Sequence, residues 1–211
     1  FSTSTSNYYY INVSGDGTVN LSGNIMSLLD RSLKASVTQY DFYKFCTSNQ
    51  IVDASNLKLP ATTLATECYS SMFSGCTSLT TAPELPATTL ANSCYSSMFS
   101  GCTSLTTAPA LPATTLADKC YYYMFYNCTS LTTAPALPAT TLANSCYSSM
   151  FHGCGSLNYI KMLATDISAS NCLVNWVRDV SAKGTFVKSS SATWNKTGSS
   201  GVPSGWTVIT E

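Results

Sequence analysis

Ten cysteines and one histidine, His152, are the residues of this 211-residue chain best suited to chemistry. Nine of the cysteines, at positions 68, 76, 94, 102, 120, 128, 146, 154 and 172, alternate gaps of eight and eighteen residues. Cys46, followed by Thr-Ser as in the later copies, precedes them at an irregular spacing. Thiols can ligate metal, cycle redox states, attack carbonyls or form disulfides. Zinc lacks its ligand set, because no C-x2-4-C pair exists and His152 has no second histidine beside it. A C-x-x-C redox motif is missing too. Covalent catalysis needs a nucleophile, a base and an orienting group together. His152 reads as a solvated surface residue, and the ten carboxylates are scattered. The glycines of "SGDG" (14–17) lack the following Lys and Ser/Thr of a phosphate loop and read as a turn. No enzyme activity, cofactor or metal site is expected. Two readings of the cysteines stay open. They are either buried thiols acting as small apolar side chains, or disulfides, which an extracellular setting and an even count favour.

The cysteines recur because the chain does. Full copies of a 26-residue unit begin at Leu59, Leu85, Leu111 and Leu137, and a degenerate fifth begins near Leu163. A period of that length reads as a solenoid, whose units bury their apolar faces against their neighbours. At 100° per residue, Leu116, Ala117, Cys120, Tyr121, Met124 and Phe125 share one half of a wheel, which predicts an amphipathic helix over Leu116–Tyr126. Thr114 or Thr115 can cap its start. Gly75, Gly101, Asn127 and Gly153 follow the four helices, and these residue types accept a left-handed C-terminal backbone. Cysteines eight apart in a helix lie ~12 Å apart along the axis, beyond the ~7 Å limit for a disulfide. Neighbouring turns, ~4.8 Å apart, could be bridged. The return segment "SLTTAPALP" suits a short strand ending before Pro83, Pro109 or Pro135. The last copy drops that proline and reads "SLNYIKML" (156–163), close to a leucine-rich-repeat strand.

The pieces "MFSGCTSL" (72–79 and 98–105), "MFYNCTSL" (124–131) and "MFHGCGSL" (150–157), each followed by Leu-Pro or its variant, resemble the BspA-like, or Treponema-type, leucine-rich repeats of bacterial surface proteins. The resemblance covers roughly residues 46–180, and the tail 184–209 is similar to the endings of such proteins. Ala-Pro in the strand and the second cysteine depart from the family pattern. The resemblance implies an α/β fold: a right-handed leucine-rich-repeat solenoid with one short strand and one short helix per 26-residue repeat, capped at both ends. It also implies display outside the cell, on the surface or secreted, for adhesion or partner binding.

Residues 1–45 are expected to form an N-terminal cap, 46–180 the repeats and 181–211 a C-terminal cap. In the first cap, "YYYINV" and "TVNLSG" flank "SGDG" as a hairpin from Tyr8 to Gly23, and 24–33 and 40–46 read as short helices. In the last, "SNCLVNWVRDV" (170–180) keeps the helix pattern with Trp176 in the methionine position. "GTFVK" and "GWTVI" read as closing strands, with Trp194 and Trp206 as lids. The chain opens on Phe, as a trimmed piece of a longer protein would, and "FSTSTSNYYY" has no signal-peptide pattern. No run of eighteen apolar residues spans a membrane. A net charge of zero with 9% charged residues argues against a nucleic-acid partner.

What varies between copies is the outer surface: Thr66–Glu67, Asn92–Ser93, Asp118–Lys119 and Asn144–Ser145, then Ser-Ser in every copy but the third, which has Tyr122–Tyr123. On a helix, Lys119, Tyr122, Tyr123 and Tyr126 would form one exposed stripe, and clustered tyrosines are typical of binding surfaces. On the opposite side, Thr80–Thr81, Thr106–Thr107 and Thr132–Thr133 form an array suited to a repetitive ligand or a soluble sheet. Two functions follow. One is a non-enzymatic adhesion module that binds a host or bacterial surface protein or glycan. The alternative is a structural spacer in a surface or phage tail fibre, which near-identical copies favour.

Overall fold

The computed structural model describes residues 17–28, 36–46 and 48–211, with the backbone of two short strands, β1 (Ser2–Thr3) and β2 (Tyr9–Tyr10). Backbone hydrogen bonding decides the form of each copy. The amides of Cys68, Ser70, Met72, Ser74 and Cys76 donate to carbonyls three residues back. Those of Glu67, Tyr69, Ser71, Phe73 and Gly75 donate instead to Asn92, Cys94, Ser96, Met98 and Ser100 of the next copy, at 2.7–3.0 Å. The same alternation runs through copies two, three and four. Every amide is satisfied, as a buried backbone requires, but no helical i→i−4 ladder exists.

The helix expected over Leu116–Tyr126 and its counterparts is therefore not formed. Among the described residues the one helical segment is a 3-10 turn, Ile25–Leu28. In place of each helix stands a run of overlapping β-turns with a left-handed residue at every fourth position. These are Glu67, Ser71 and Gly75 in copy one and Lys119, Tyr123 and Asn127 in copy three, with φ between 55° and 80°. The third residue of every second turn must be left-handed, as in a type II turn. The apolar positions explain the preference. Cys68, Tyr69, Met72, Phe73 and Cys76 repeat strictly every four residues, whereas a helix would drift by about 40° over each such step. Ser, Thr, Cys and Tyr are also mediocre helix formers, and an isolated helix this short is marginal. The left-handed backbone expected at Gly75, Gly101, Asn127 and Gly153 is observed, although no helix precedes it.

The four-residue period delivers side chains to continuous columns. Phe42, Tyr69, Tyr95, Tyr121, Tyr147 and Trp176 stack in order with ring centroids 5.6–6.4 Å apart. Phe73, Phe99, Phe125 and Phe151 stack in a second file at 5.5–5.7 Å. The methionines, both cysteines of each copy and Leu79, Leu105, Leu131 and Leu157 complete the core, fully buried. Cys46 departs from its apparent counterpart. Its amide donates to Met72 and its carbonyl accepts from the Cys76 thiol, as the Phe73 carbonyl accepts from Cys102. It thus fills the Phe73 position of a preceding unit in which Tyr40 and Lys44 are left-handed.

On the other side the copies meet through parallel pairing. Asp53, Thr81, Thr107, Thr133 and Tyr159 are bridged in sequence. The prolines two residues beyond each threonine limit these contacts to single bridges. Where the proline is absent a true strand forms, β5 (Tyr159–Met162), which pairs in parallel with β6 (Thr185–Lys188), and β6 with β7 (Thr207–Thr210). The two expected closing strands are thus present. Trp206 is buried with its indole N–H on the Ser181 carbonyl, and half-buried Trp194 donates to Ala164.

The N-terminal end differs from the expected hairpin. β3 (Val19–Asn24) pairs in parallel with β4 (Ile51–Lys58), and β2 pairs with β1. Residues 14–16 of the turn expected at 14–17 lie outside the described residues, as do residues 29–33 of the expected first helix. Segment 40–46 forms turns instead of the second. The described residues thus form strands, bridges and turns with mostly parallel pairing and almost no helix.

Candidate functional site

All ten cysteines are free and buried. In one column the thiols of Cys76, Cys102, Cys128 and Cys154 donate to carbonyls of the preceding unit at 2.9–3.1 Å. Burial pushes Cys76, Cys94, Cys146 and Cys154 up to about 12 from an ordinary 9.0, and raises the others. They are protonated near neutral pH, and the thiolate is the form that attacks or ligates. Among the described residues no group of three His, Cys, Asp or Glu side chains converges to hold a metal. No helix among them is long and apolar enough to cross a membrane.

The outer face of the turn wall carries the features that break the repetition. Copies one, two and four place serines at the positions held by Tyr122 and Tyr123 in copy three. The Tyr122 and Tyr123 rings lie 4.4 Å apart, Tyr123 and Tyr126 5.1 Å apart, and Tyr126 meets His152 of copy four edge-on at 5.0 Å. All four are half-buried. The sequence reading foresaw the tyrosine cluster, although turns rather than a helix assemble it. Lys119 is exposed at a left-handed position and joins none of these ring contacts. Burial raises Tyr122, reinforced by the neighbouring Tyr123.

His152 is not the solvated residue expected. Its side chain is 20% exposed, and its Nε2 lies 3.4 Å from Asp179 Oδ2. The same oxygen lies 3.5 Å from Arg178 Nε, which leaves Oδ1 as an acceptor. Arg178 and Asp179 also line a polar hollow of about 230 Å³ with Ser181, Ser199 and Ser204. The aromatic row therefore leads from copy three across copy four to a polar hollow at the C-terminal end. His152 and Asp179 were missed because the signal lies in register: writing the copies beneath one another places Tyr126, His152 and Arg178 in one column.

No known protein family, curated protein or solved structure is significantly similar to this chain.

A second concavity, about 410 Å³, opens on the proline side where copies one, two and three meet, lined by Pro83, Leu85, Pro86, Pro109 and Pro112. It is largely apolar, with Glu84 its one charged residue. Binding sites combine an apolar wall with a few placed polar groups, and the tyrosine row with its His–Asp end meets that description better. The threonine array is exposed, and its backbone pairs the copies. Thr81, Thr107 and Thr133 carry the bridges, and the Thr80 hydroxyl donates to the Val52 carbonyl.

Proposed function

We propose that the chain is a non-enzymatic binding module of a bacterial surface protein, presented outside the cell on a right-handed leucine-rich-repeat solenoid of the BspA-like kind. The surface that binds is the face of Tyr122, Tyr123 and Tyr126, with Lys119 at its border, and the partner is a host or bacterial surface protein or glycan. The motifs "MFSGCTSL", "MFYNCTSL" and "MFHGCGSL" support the family reading, as do the parallel bridges 26 residues apart. The observation that carries the functional reading is a local break in symmetry. Core columns hold constant through four copies, while two positions that are serine in the other three copies, and a third that is serine in copies one and two and His152 in copy four, become tyrosine in copy three and lie together. Half-exposed, clustered tyrosines supply contact area at low entropic cost. The deep burial of the ten thiols, which keeps them protonated, is in keeping with a role without catalysis.

The test is an array of glycans and matrix proteins probed with the wild type and with Tyr122→Ser/Tyr123→Ser/Tyr126→Ser. A wild-type signal that the triple variant loses supports the proposal, and an empty array removes it. The alternative, a structural spacer of a surface or phage tail fibre, is favoured by the near-identity of copies one and two and by the unbroken run of parallel bridges.

A further inference from the structure

We propose that the tyrosine row and the hollow at its end form one continuous site for a neutral glycan chain. Hexopyranose rings stack along Tyr122, Tyr123, Tyr126 and His152, and the terminal sugar hydrogen-bonds in the hollow of Arg178 and Asp179. This inference rests on the binding-module reading above and names its ligand class.

Three observations carry it. The first is the row itself. Successive ring centroids are 4.4, 5.1 and 5.0 Å apart with planes inclined at 59°, 45° and 77°, so the row is faceted, each ring offering its own face or edge to a sugar, and it crosses from one copy to the next. A π-face attracts the slightly positive C–H face of a pyranose as it does other positive edges. The second is the polar end. Asp179 Oδ2 lies 3.4 Å from His152 Nε2 and 3.5 Å from Arg178 Nε, and Oδ1 is able to accept from a sugar hydroxyl. Ser199 and Ser204 line the same hollow with hydroxyls that donate and accept. Its volume, about 230 Å³, suits a single sugar and not a folded peptide element. The third is charge. Asp179 faces both His152 and Arg178, so the site offers no unbalanced cationic cluster. The chain's net charge is also zero. Polyanionic glycans need clustered cations, whereas a neutral chain needs stacking and hydroxyl partners.

The experiment uses the full chain and titrates it calorimetrically with neutral hexasaccharides of glucose, mannose and galactose in separate runs, and with a sulfated polysaccharide. Binding of at least one neutral hexasaccharide is expected. Tyr123→Ser and Asp179→Asn should each weaken it by about tenfold or more, while Glu84→Gln, on the proline side, leaves it unchanged. Serine is tolerated at position 123, because Ser71, Ser97 and Ser149 hold the equivalent place with the same left-handed backbone. An intact thermal transition for each variant separates lost binding from lost fold. If only the sulfated chain binds, or if the array yields a protein partner dependent on the tyrosines and no neutral glycan, the glycan inference is overturned and the binding module stands. Neutral-glycan binding unaffected by both substitutions also overturns it. If nothing binds in either format, both fall.

Discussion

Copies two and three have the same inner face and different outer faces. Tyr95, Met98, Phe99 and Cys102 occupy the same buried places as Tyr121, Met124, Phe125 and Cys128, with the same alternating hydrogen bonds. Outside, Ser96, Ser97 and Ser100 become Tyr122, Tyr123 and Tyr126, and Gly101 becomes Asn127. The left-handed positions are shared as well: φ is 55° at Ser97 and at Tyr123. The backbone thus accepts almost any residue on the outer side of the turn wall, while the columns inside accept few. Freedom of that kind would let a repetitive scaffold carry a local site, as proposed for copy three.

The largest effect is collective and falls on the core that the two copies share. Folded Cys94 and Cys146 titrate near 12 because burial disfavours the thiolate, whereas an unfolded thiol titrates near 9.0. Above 9.0 the unfolded chain binds fewer protons than the folded one, so stability falls with rising pH. That contribution is fully present below 9.0 and is lost as pH climbs towards 12. Buried Tyr95 and Tyr147, also raised by burial, act in the same direction. Urea midpoints measured from neutral pH to about pH 11 should decline steeply above 9, and a flat profile would show that the thiols are accessible in the folded state.

Next in size, Phe99→Ala and Phe125→Ala should each cost about 3–5 kcal/mol in denaturant titrations, and by similar amounts. A large difference between them would mean that the two copies do not share one packed file.

The glycines separate the copies. Gly101→Ala should cost about 1–2 kcal/mol for the left-handed backbone alone. A Cβ at Gly153 would in addition meet Asn127 Oδ1, so Gly153→Ala should cost more than Gly101→Ala. Asn127→Gly should recover the difference of about 0.5–1 kcal/mol in a double-mutant cycle. Additivity would place Asn127 elsewhere.

The smallest effect has the opposite sign. The hydroxyls of Tyr69, Tyr95 and Tyr121 are buried without a hydrogen-bond partner. Tyr95→Phe should raise stability by about 1 kcal/mol by removing an unsatisfied group. Destabilisation would reveal a partner for that hydroxyl.

Much of this arrangement was legible in the residues themselves. The 26-residue register, the buried identity of Cys, Met and Phe, the left-handed Gly and Asn positions, and the strands at 159–162, 185–188 and 207–210 all follow from spacing and residue type. The turn wall did not. A four-residue period and a helical one both put Cys120, Tyr121, Met124 and Phe125 on one side of a wheel, and eleven residues are too few to separate them. The second signal, a left-handed backbone at Glu67, Ser71, Lys119 and Tyr123, is invisible because none of these residue types advertises it. The choice is made by hydrogen bonds between copies, which no window within one copy contains. The tyrosines at 122, 123 and 126 were visible as a break in the repeat. Their continuation through His152 to Asp179 lies across copies and becomes apparent only in the contacts between copies.

The central claim is that alternate amides of the turn wall bond to the next copy. Scalar couplings transmitted through hydrogen bonds, recorded by NMR on isotopically labelled protein, test it directly. The account predicts correlations from the Ser97 amide to the Tyr122 carbonyl and from the Phe99 amide to the Met124 carbonyl. Correlations from those amides to the carbonyls of Ser93 and Tyr95, four residues back, would restore a helix in each copy and contradict it.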